Sequence, residues 1–249
     1  KIYFFLCNDF VVEMSAQKSG RELIWRWVMM LQVFDIIGPV MIGPSSSHTA
    51  GAVRIGKYAR SILGSEPVSA HICFSGSFAK TYKGHGTDKA IIAGILGMET
   101  DDPRIRISMD IAKEKGLEFT FEECDIDGAH PNTAEITLTD YAGKTALVQG
   151  CSIGGGNIII TKINDTVVSI NGKSDTLVIP HQDIPGMIAV VTKILAEKGV
   201  NVHGFSLCRD HKGGTAVMTI EIDGDINESV TGAILENPHI FSCTILKAI

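Results

Sequence analysis

Three histidines in this 249-residue chain sit among hydroxyls and glycines in ways that suit anion binding and proton transfer. The densest stretch, Gly38-Pro-Val-Met-Ile-Gly-Pro-Ser-Ser-Ser-His-Thr-Ala-Gly, sets Ser45, Ser46, Ser47, His48 and Thr49 directly before a helical run that contains Val53, Ile55 and Tyr58. The first amides of a helix lack partners within it, and with serine hydroxyls beside them they form a receptor for a carboxylate or phosphate. His48 is placed to bind the same ligand or to exchange a proton with it. One Ser or Thr is enough to cap a helix, so a run of five polar residues exceeds what stability requires.

Three further joints repeat the design. Tyr82-Lys-Gly-His-Gly-Thr-Asp-Lys frees the backbone around His85 and offers Thr87 or Asp88 as the cap of a following helix. Gly128-Ala-His-Pro-Asn-Thr holds His130 before a proline, with Asn132 able to donate and accept. Cys151-Ser-Ile-Gly-Gly-Gly-Asn adds the Ser152 hydroxyl and three glycines whose amides could approach an anion, although the same glycines would also suit a hairpin turn. Each joint alone has an ordinary structural reading. Together, without paired catalytic carboxylates, a Walker loop or a nucleotide-binding GxGxxG, they suit a small anionic, hydroxylated substrate.

The elements that position these joints fall into two groups, giving an α+β chain. Helical periodicity covers 49–63, 88–96 and 103–115, and strand patterns cover 69–74, 118–122, 135–139, 144–149 and 157–164, which together predict a mixed α and β domain over 31–173. A polar break at Lys173-Ser174-Asp175 opens a second domain, 174–249. There a strand at 175–180 is followed by Met187, Val190, Val191, Ile194 and Leu195 on one helical face, with Pro185 at the entry and Gly199 at the exit. Strands at 200–209 and 215–223, a short helix at 227–237 and a strand at 240–246 complete a ferredoxin-like βαββαβ order. Residues 1–30 read as an upstream extension whose apolar part is too short to cross a membrane.

A net charge of -6 with scattered Lys and Arg predicts neither a nucleic-acid nor a membrane partner. The six cysteines, Cys7, Cys73, Cys124, Cys151, Cys208 and Cys243, have no metal-ligand spacing and are expected to be isolated cytoplasmic thiols, mostly packing residues. Cys151 is singled out only because it adjoins the glycine joint.

Ile179-Pro-His-Gln-Asp-Ile-Pro-Gly-Met, with Lys198-Gly-Val-Asn-Val and the Gly213-Gly turn, resembles an ACT domain. That resemblance implies an amino-acid effector bound near Gly186 and Asn201 between paired modules, and self-association through the module. Residues 33–249, and above all Pro44-Ser-Ser-Ser-His-Thr-Ala-Gly, resemble the beta part of iron-sulfur-dependent L-serine dehydratases. The resemblance implies conversion of L-serine to pyruvate and ammonia, with an iron of a 4Fe-4S cluster acting as Lewis acid. The cluster would be held by an alpha partner subunit rather than wholly by this chain. It further implies catalytic roles for His48, His85 and His130, with His85 or His48 as the base. Ser45, Ser46, Ser47, Thr49, Asn132 and Ser152 would contact substrate. No pyridoxal phosphate is needed, although Lys80, Lys83 and Lys89 lie near the second joint. The first domain is also similar to the allosteric substrate-binding domain of some phosphoglycerate dehydrogenases. The competing reading is a non-catalytic regulatory subunit that binds serine or another small anion.

Overall fold

In the computed structural model, residues 39–224 and 226–248 are described. The expected extension, 1–30, and the segment 33–38 that shares in the resemblance lie outside them. A π-helical turn at Ser46–Ala50 leads into α1 (Gly51–Leu63), whose Val53, Ile55, Ala59 and Leu63 are fully buried. β1 (Pro67–Gly76) is followed by α2 (Ser77–His85) and α3 (Thr87–Ile95), then a 3-10 turn (Pro103–Ile107), α4 (Ser108–Glu114) and β2 (Glu118–Cys124). This long crossover is what lets β1 and β2 pair in parallel. β3 (Asn132–Asp140), β4 (Thr145–Gly154), β5 (Asn157–Ile163) and β6 (Thr166–Ile170) follow as antiparallel neighbours, giving the order β2-β1-β3-β4-β5-β6.

Strand alternation sends Ile72, Phe74, Ile136, Leu138, Val148 and Ile160 into one core with α1 and α3. Two glycines permit that packing. A Cβ at Gly94 would strike the Val53 carbonyl, and one at Gly56 would strike the Ile91 carbonyl, so the backbones of α1 and α3 touch where they cross. Ser108 Oγ donates to the Lys89 carbonyl at 2.7 Å and fixes the start of α4 against α3.

The second sheet is built from β7 (Thr176–Gln182), α5 (Met187–Glu197), β8 (Asn201–Arg209), β9 (Thr215–Asp223), α6 (Glu228–Leu235) and β10 (Thr244–Leu246), in the order β10-β7-β9-β8. One face carries Leu177, Ile179, Met218 and Ile220 against Val191 and Leu195 of α5 and Val230 and Ile234 of α6. The intervening residues Val178 and Val217, with Leu246, join the core of the first sheet instead. The polar break near 174 therefore divides the chain but not the packing. Tyr58 Oη donates to the Lys247 carbonyl at 3.2 Å, and Lys247 Nζ pairs with Asp175 at 2.6 Å.

The α+β class and the βαββαβ order hold. Several particulars differ from the sequence reading. α2 fills a stretch to which no element was assigned and runs into the joint read at 82–89, because Phe78 and Tyr82 bury one side of it despite its glycine and lysines. The helix expected over 103–115 begins as a 3-10 turn, and the last strand contracts to Thr244–Leu246 after an isolated bridge between His181 and Ile240. The expectation of isolated thiols fails for Cys73 and Cys124. They lie on one face of the parallel β1–β2 pair, their Cα atoms are 5.9 Å apart, and their sulfurs form a disulfide. Among the described residues no helix is long and apolar enough to cross a membrane.

Candidate functional site

The first joint folds as more than a capped helix start. Ser45 is the cap: its Oγ accepts from the His48 amide at 3.3 Å, and its carbonyl accepts from the Thr49 amide at 2.8 Å. The turn then widens, with the Gly51 amide reaching back to the Ser46 carbonyl, and the wider turn carries His48 and Thr49 into buried positions. The His48 ring meets the Phe78 ring at 5.1 Å and the His85 ring edge-on at 4.6 Å. His85 closes α2 rather than starting a helix, and Gly86, with φ of 71°, turns the chain into α3. Neither Thr87 nor Asp88 caps α3 through its side chain, which corrects the expected role.

Buried polar atoms concentrate here without hydrogen-bond partners. Among the described residues His48 Nε2, Thr49 Oγ1, Thr87 Oγ1 and Ser152 Oγ are all buried and unpaired. Such atoms cost free energy in a finished fold, of order 1–3 kcal/mol each, and the cost is offset where a ligand or water completes them. Ser152 lies on β4 packed against Gly51, where a Cβ on the glycine would strike its hydroxyl. Asn132, at the head of β3, donates to the Ser152 carbonyl at 3.4 Å. Burial first, and then neighbouring His85, lowers the His48 pKa from its ordinary 6.5 and favours the neutral ring. Burial also raises the Asp88 carboxyl pKa, against the pull of its own amide, the Lys89 amide and the lysines nearby.

Other candidates stand at the margin. His130 is exposed, and its Nδ1 accepts from the Asn132 amide at 3.1 Å. It touches neither His48 nor His85 through any ring contact, but the next carbonyl, of Pro131, accepts from the Ser77 and Phe78 amides and ties this turn to α2. Ser46 and Ser47 are half-buried. The glycines at 154–156 form the tight hairpin between β4 and β5, so the plainer of their two readings is the one found. Arg54 donates to the Gly156 carbonyl at 2.6 Å and fixes that hairpin to α1. Cys151 is buried, and burial raises its thiol pKa, which marks a packing residue.

A cavity of about 380 Å³ opens beside the histidine pair. It is walled by Thr49, His85, Lys89, Ile105 and Arg106 and by the strap at 42–44. Arg106 was not foreseen. It rides on the 3-10 turn, remote in sequence from every joint, and only the seating of Ile105 in the core brings it to the cavity. Thr87 did lie in a quoted motif, but local pattern assigned it to capping.

In the second domain Gly186 precedes α5 and Asn201 follows it, so an 11-residue helix, about 16 Å long, separates them. Asn201 Nδ2 already donates to Asp223 at 2.6 Å. His181 is buried with an unpaired Nε2 among the described residues; the sequence reading included it in the ACT-like motif but gave it no role. Among the described residues no group of three His, Cys, Asp or Glu side chains comes together in a way that could hold a metal ion.

Residues 32–115 match the serine dehydratase beta chain family, and residues 176–239 match the ACT domain family. The chain is 47% identical over 212 residues to a probable L-serine dehydratase beta chain of Bacillus subtilis (strain 168), covering 85% of this chain and 96% of that relative. It is 38% identical over 203 residues to the L-serine dehydratase beta chain of Peptoniphilus asaccharolyticus, covering 81% and 91%. A more distant similarity, 25% over 183 residues, reaches 34% of a D-3-phosphoglycerate dehydrogenase of Bacillus subtilis (strain 168) and 73% of this chain.

Proposed function

The chain belongs to the L-serine dehydratase beta-chain family, and from that premise we propose that its first domain supplies the proton-moving and substrate-gripping half of a serine deamination site. An alpha subunit completes that site. The observation that carries this reading is the edge-on pair of His48 and His85 among four buried, unpaired polar atoms.

The two rings divide the work by access. His85 lines the cavity and can reach a bound amino acid, whereas His48 is only 9% exposed and sits behind it. An imidazole nitrogen of His85 takes the proton from the substrate's α-carbon as the β-hydroxyl departs, that proton and the departing hydroxide leave together as water, and the remaining enamine tautomerises to an imine that water hydrolyses to pyruvate and ammonia. His48 is the positioning neighbour. Ser45 Oγ lies 3.3 Å from its Nδ1, and with that nitrogen donating to the hydroxyl, Nε2 carries the lone pair toward the buried interior. A neutral His48 does not repel His85 when His85 becomes protonated. Thr49 lines the same cavity. Ser152, which packs against Gly51, and Asn132, which donates to the Ser152 carbonyl, are assigned to the polar groups of a ligand although they do not line that cavity, and Ser45, Ser46, Ser47 and His130 are assigned supporting contacts.

The 4Fe-4S cluster that the family implies finds no fitting ligand set among the described residues. Cys73 and Cys124 are bonded to one another, and Cys151, Cys208 and Cys243 are not gathered with other candidate ligands. We therefore assign the cluster to the alpha subunit and derive no step of this chain's chemistry through it. The ACT module is assigned an effector and pairing role. Gly186 and Asn201 are separated within one copy, and β8 leaves one edge of its sheet open with Phe205 and Leu207 partly exposed, which fits pairing with a second module. The domain limits 31–173 and 174–249 and a cytoplasmic setting belong to the same proposal.

The test is anaerobic reconstitution. Pyruvate formation from L-serine is measured with the cluster-bearing subunit alone, with this chain alone, and with both. Turnover that requires both supports the shared site. If the cluster subunit turns over fully alone and this chain only changes its response to serine concentration, the regulatory reading replaces it.

A further inference from the structure

We propose that Arg106, with Lys89 as a weaker second, is the grip for the substrate's α-carboxylate and so determines that the site takes small α-amino acids. This rests on the shared-site reading above and adds to it the end of the substrate that the histidine pair does not account for.

The argument begins with charge. The cavity beside His85 is walled by two cationic residues, and none of the residues lining it is acidic. Among the described residues Arg106 has no carboxylate partner, whereas Arg104 on the same turn is held by Asp102 at 2.6 Å. Lys89 is partly offset by Asp88, its neighbour in the first turn of α3. Arg106 is therefore the less neutralised cation, and its planar guanidinium can meet a carboxylate with two parallel hydrogen bonds.

Position supports the same assignment. Ile105 is 3% exposed and anchors the 3-10 turn in the core, while Ser108 Oγ holds the Lys89 carbonyl, so the backbone positions that carry the two cations are fixed relative to one another. On another side of the cavity the strap is tied down by the Ile42 amide donating to the Thr100 carbonyl at 2.9 Å and by Thr100 Oγ1 donating to the Val40 carbonyl at 2.9 Å. A carboxylate held by Arg106 places the adjacent α-carbon within the space that His85 and Thr49 also line. That is the arrangement α-proton removal requires, because the proton to be removed sits on the carbon bonded directly to the gripped group. A volume of about 380 Å³ admits serine with a few waters.

The experiment uses the reconstituted two-subunit enzyme and compares wild type with Arg106→Ala, Arg106→Lys and Lys89→Met. Arg106 is exposed and lies outside the core, so these variants fold, which circular dichroism checks. Losing a charged hydrogen-bonding partner raises KM for L-serine on the order of 10–100-fold, with kcat within about fivefold, since the grip acts on bound substrate and transition state alike. Arg106→Lys falls between, and Lys89→Met shifts KM less. Competitive inhibition by L-alanine, which keeps the carboxylate, weakens in parallel with KM. Inhibition by ethanolamine, which is serine without its carboxylate, is unmoved. An unchanged KM overturns the proposal, as does equal weakening of alanine and ethanolamine. Loss of subunit association with an unchanged KM also overturns it and makes Arg106 a docking residue. Failure of the wild-type chain to contribute to turnover at all would sink the shared-site reading instead, and that control is read before any variant.

Discussion

The two domains hold candidate ligand-binding residues in opposite states of completion. In the first, a widened helical turn, a helix end and a β-strand bring His48, His85, Thr49 and Ser152 together, and four buried polar atoms there await partners. In the second, Gly186 and Asn201 stand at the two ends of α5, and the Asn201 amide is already engaged by Asp223. On the proposed reading, the first site is completed by a substrate and a different subunit, and the second by another copy of its own module. Free energy left unspent in buried, unpaired groups marks the former. An open sheet edge marks the latter.

Replacing one member of each site tests that contrast most strongly. His85→Ala is expected to lower kcat by roughly 10²–10⁴-fold, the usual contribution of an acid/base group, with subunit association intact by size-exclusion chromatography. Asn201→Ala should leave kcat within about twofold and alter only the response to an added amino-acid effector. Equal losses in the two variants would erase the distinction between the domains.

The next effect concerns what holds the first site in place. Gly94→Ala would press a methyl group onto the Val53 carbonyl, a backbone atom that cannot swing aside, and urea unfolding should show a loss of about 1–3 kcal/mol. A smaller change probes the seam between the domains. Tyr58→Phe removes the hydrogen bond to the Lys247 carbonyl and should cost about 1 kcal/mol, seen as a lower unfolding midpoint. Tyr58 is buried, which pushes its phenol up to about 12, so the bond stays intact through the whole neutral range. An unchanged midpoint would mean that apolar contacts alone join the two domains.

The last effect is one of pH. The folded chain keeps the His48 pKa below 6.5, so near that pH the unfolded chain binds more protons than the folded one. The stability contributed by a neutral His48 is therefore complete above 6.5 and is lost as pH falls through 6.5 toward the folded value. Urea midpoints of wild type should fall on acidification more than those of His48→Asn, and identical slopes would show that His48 is not held neutral.

Much of this architecture follows from short-range pattern. The apolar face from Met187 to Leu195 and the alternation along Thr215–Asp223 depend on periodicities of 3.6 and 2 that neighbouring residues alone establish, and the βαββαβ order follows from them. α2 escaped because its helicity comes from burying Phe78 and Tyr82, a contact with distant strands that outweighs a glycine and two lysines. The disulfide escaped for a similar reason, since 51 residues separate Cys73 from Cys124 and only the parallel register of β1 and β2 brings them together.

What the sequence determined by itself was a set of candidate groups: the Ser45 to Thr49 run, which exceeds the need of a helix cap, and His85, His130, Asn132 and Ser152, each ordinary on its own and notable only in company. Which of them meet was decided by tertiary structure alone. The edge-on rings of His48 and His85, the burial that keeps His48 neutral, and the arrival of Arg106 at the cavity all depend on contacts between segments far apart in the chain. Desolvation and proximity exist only once the core has closed around them.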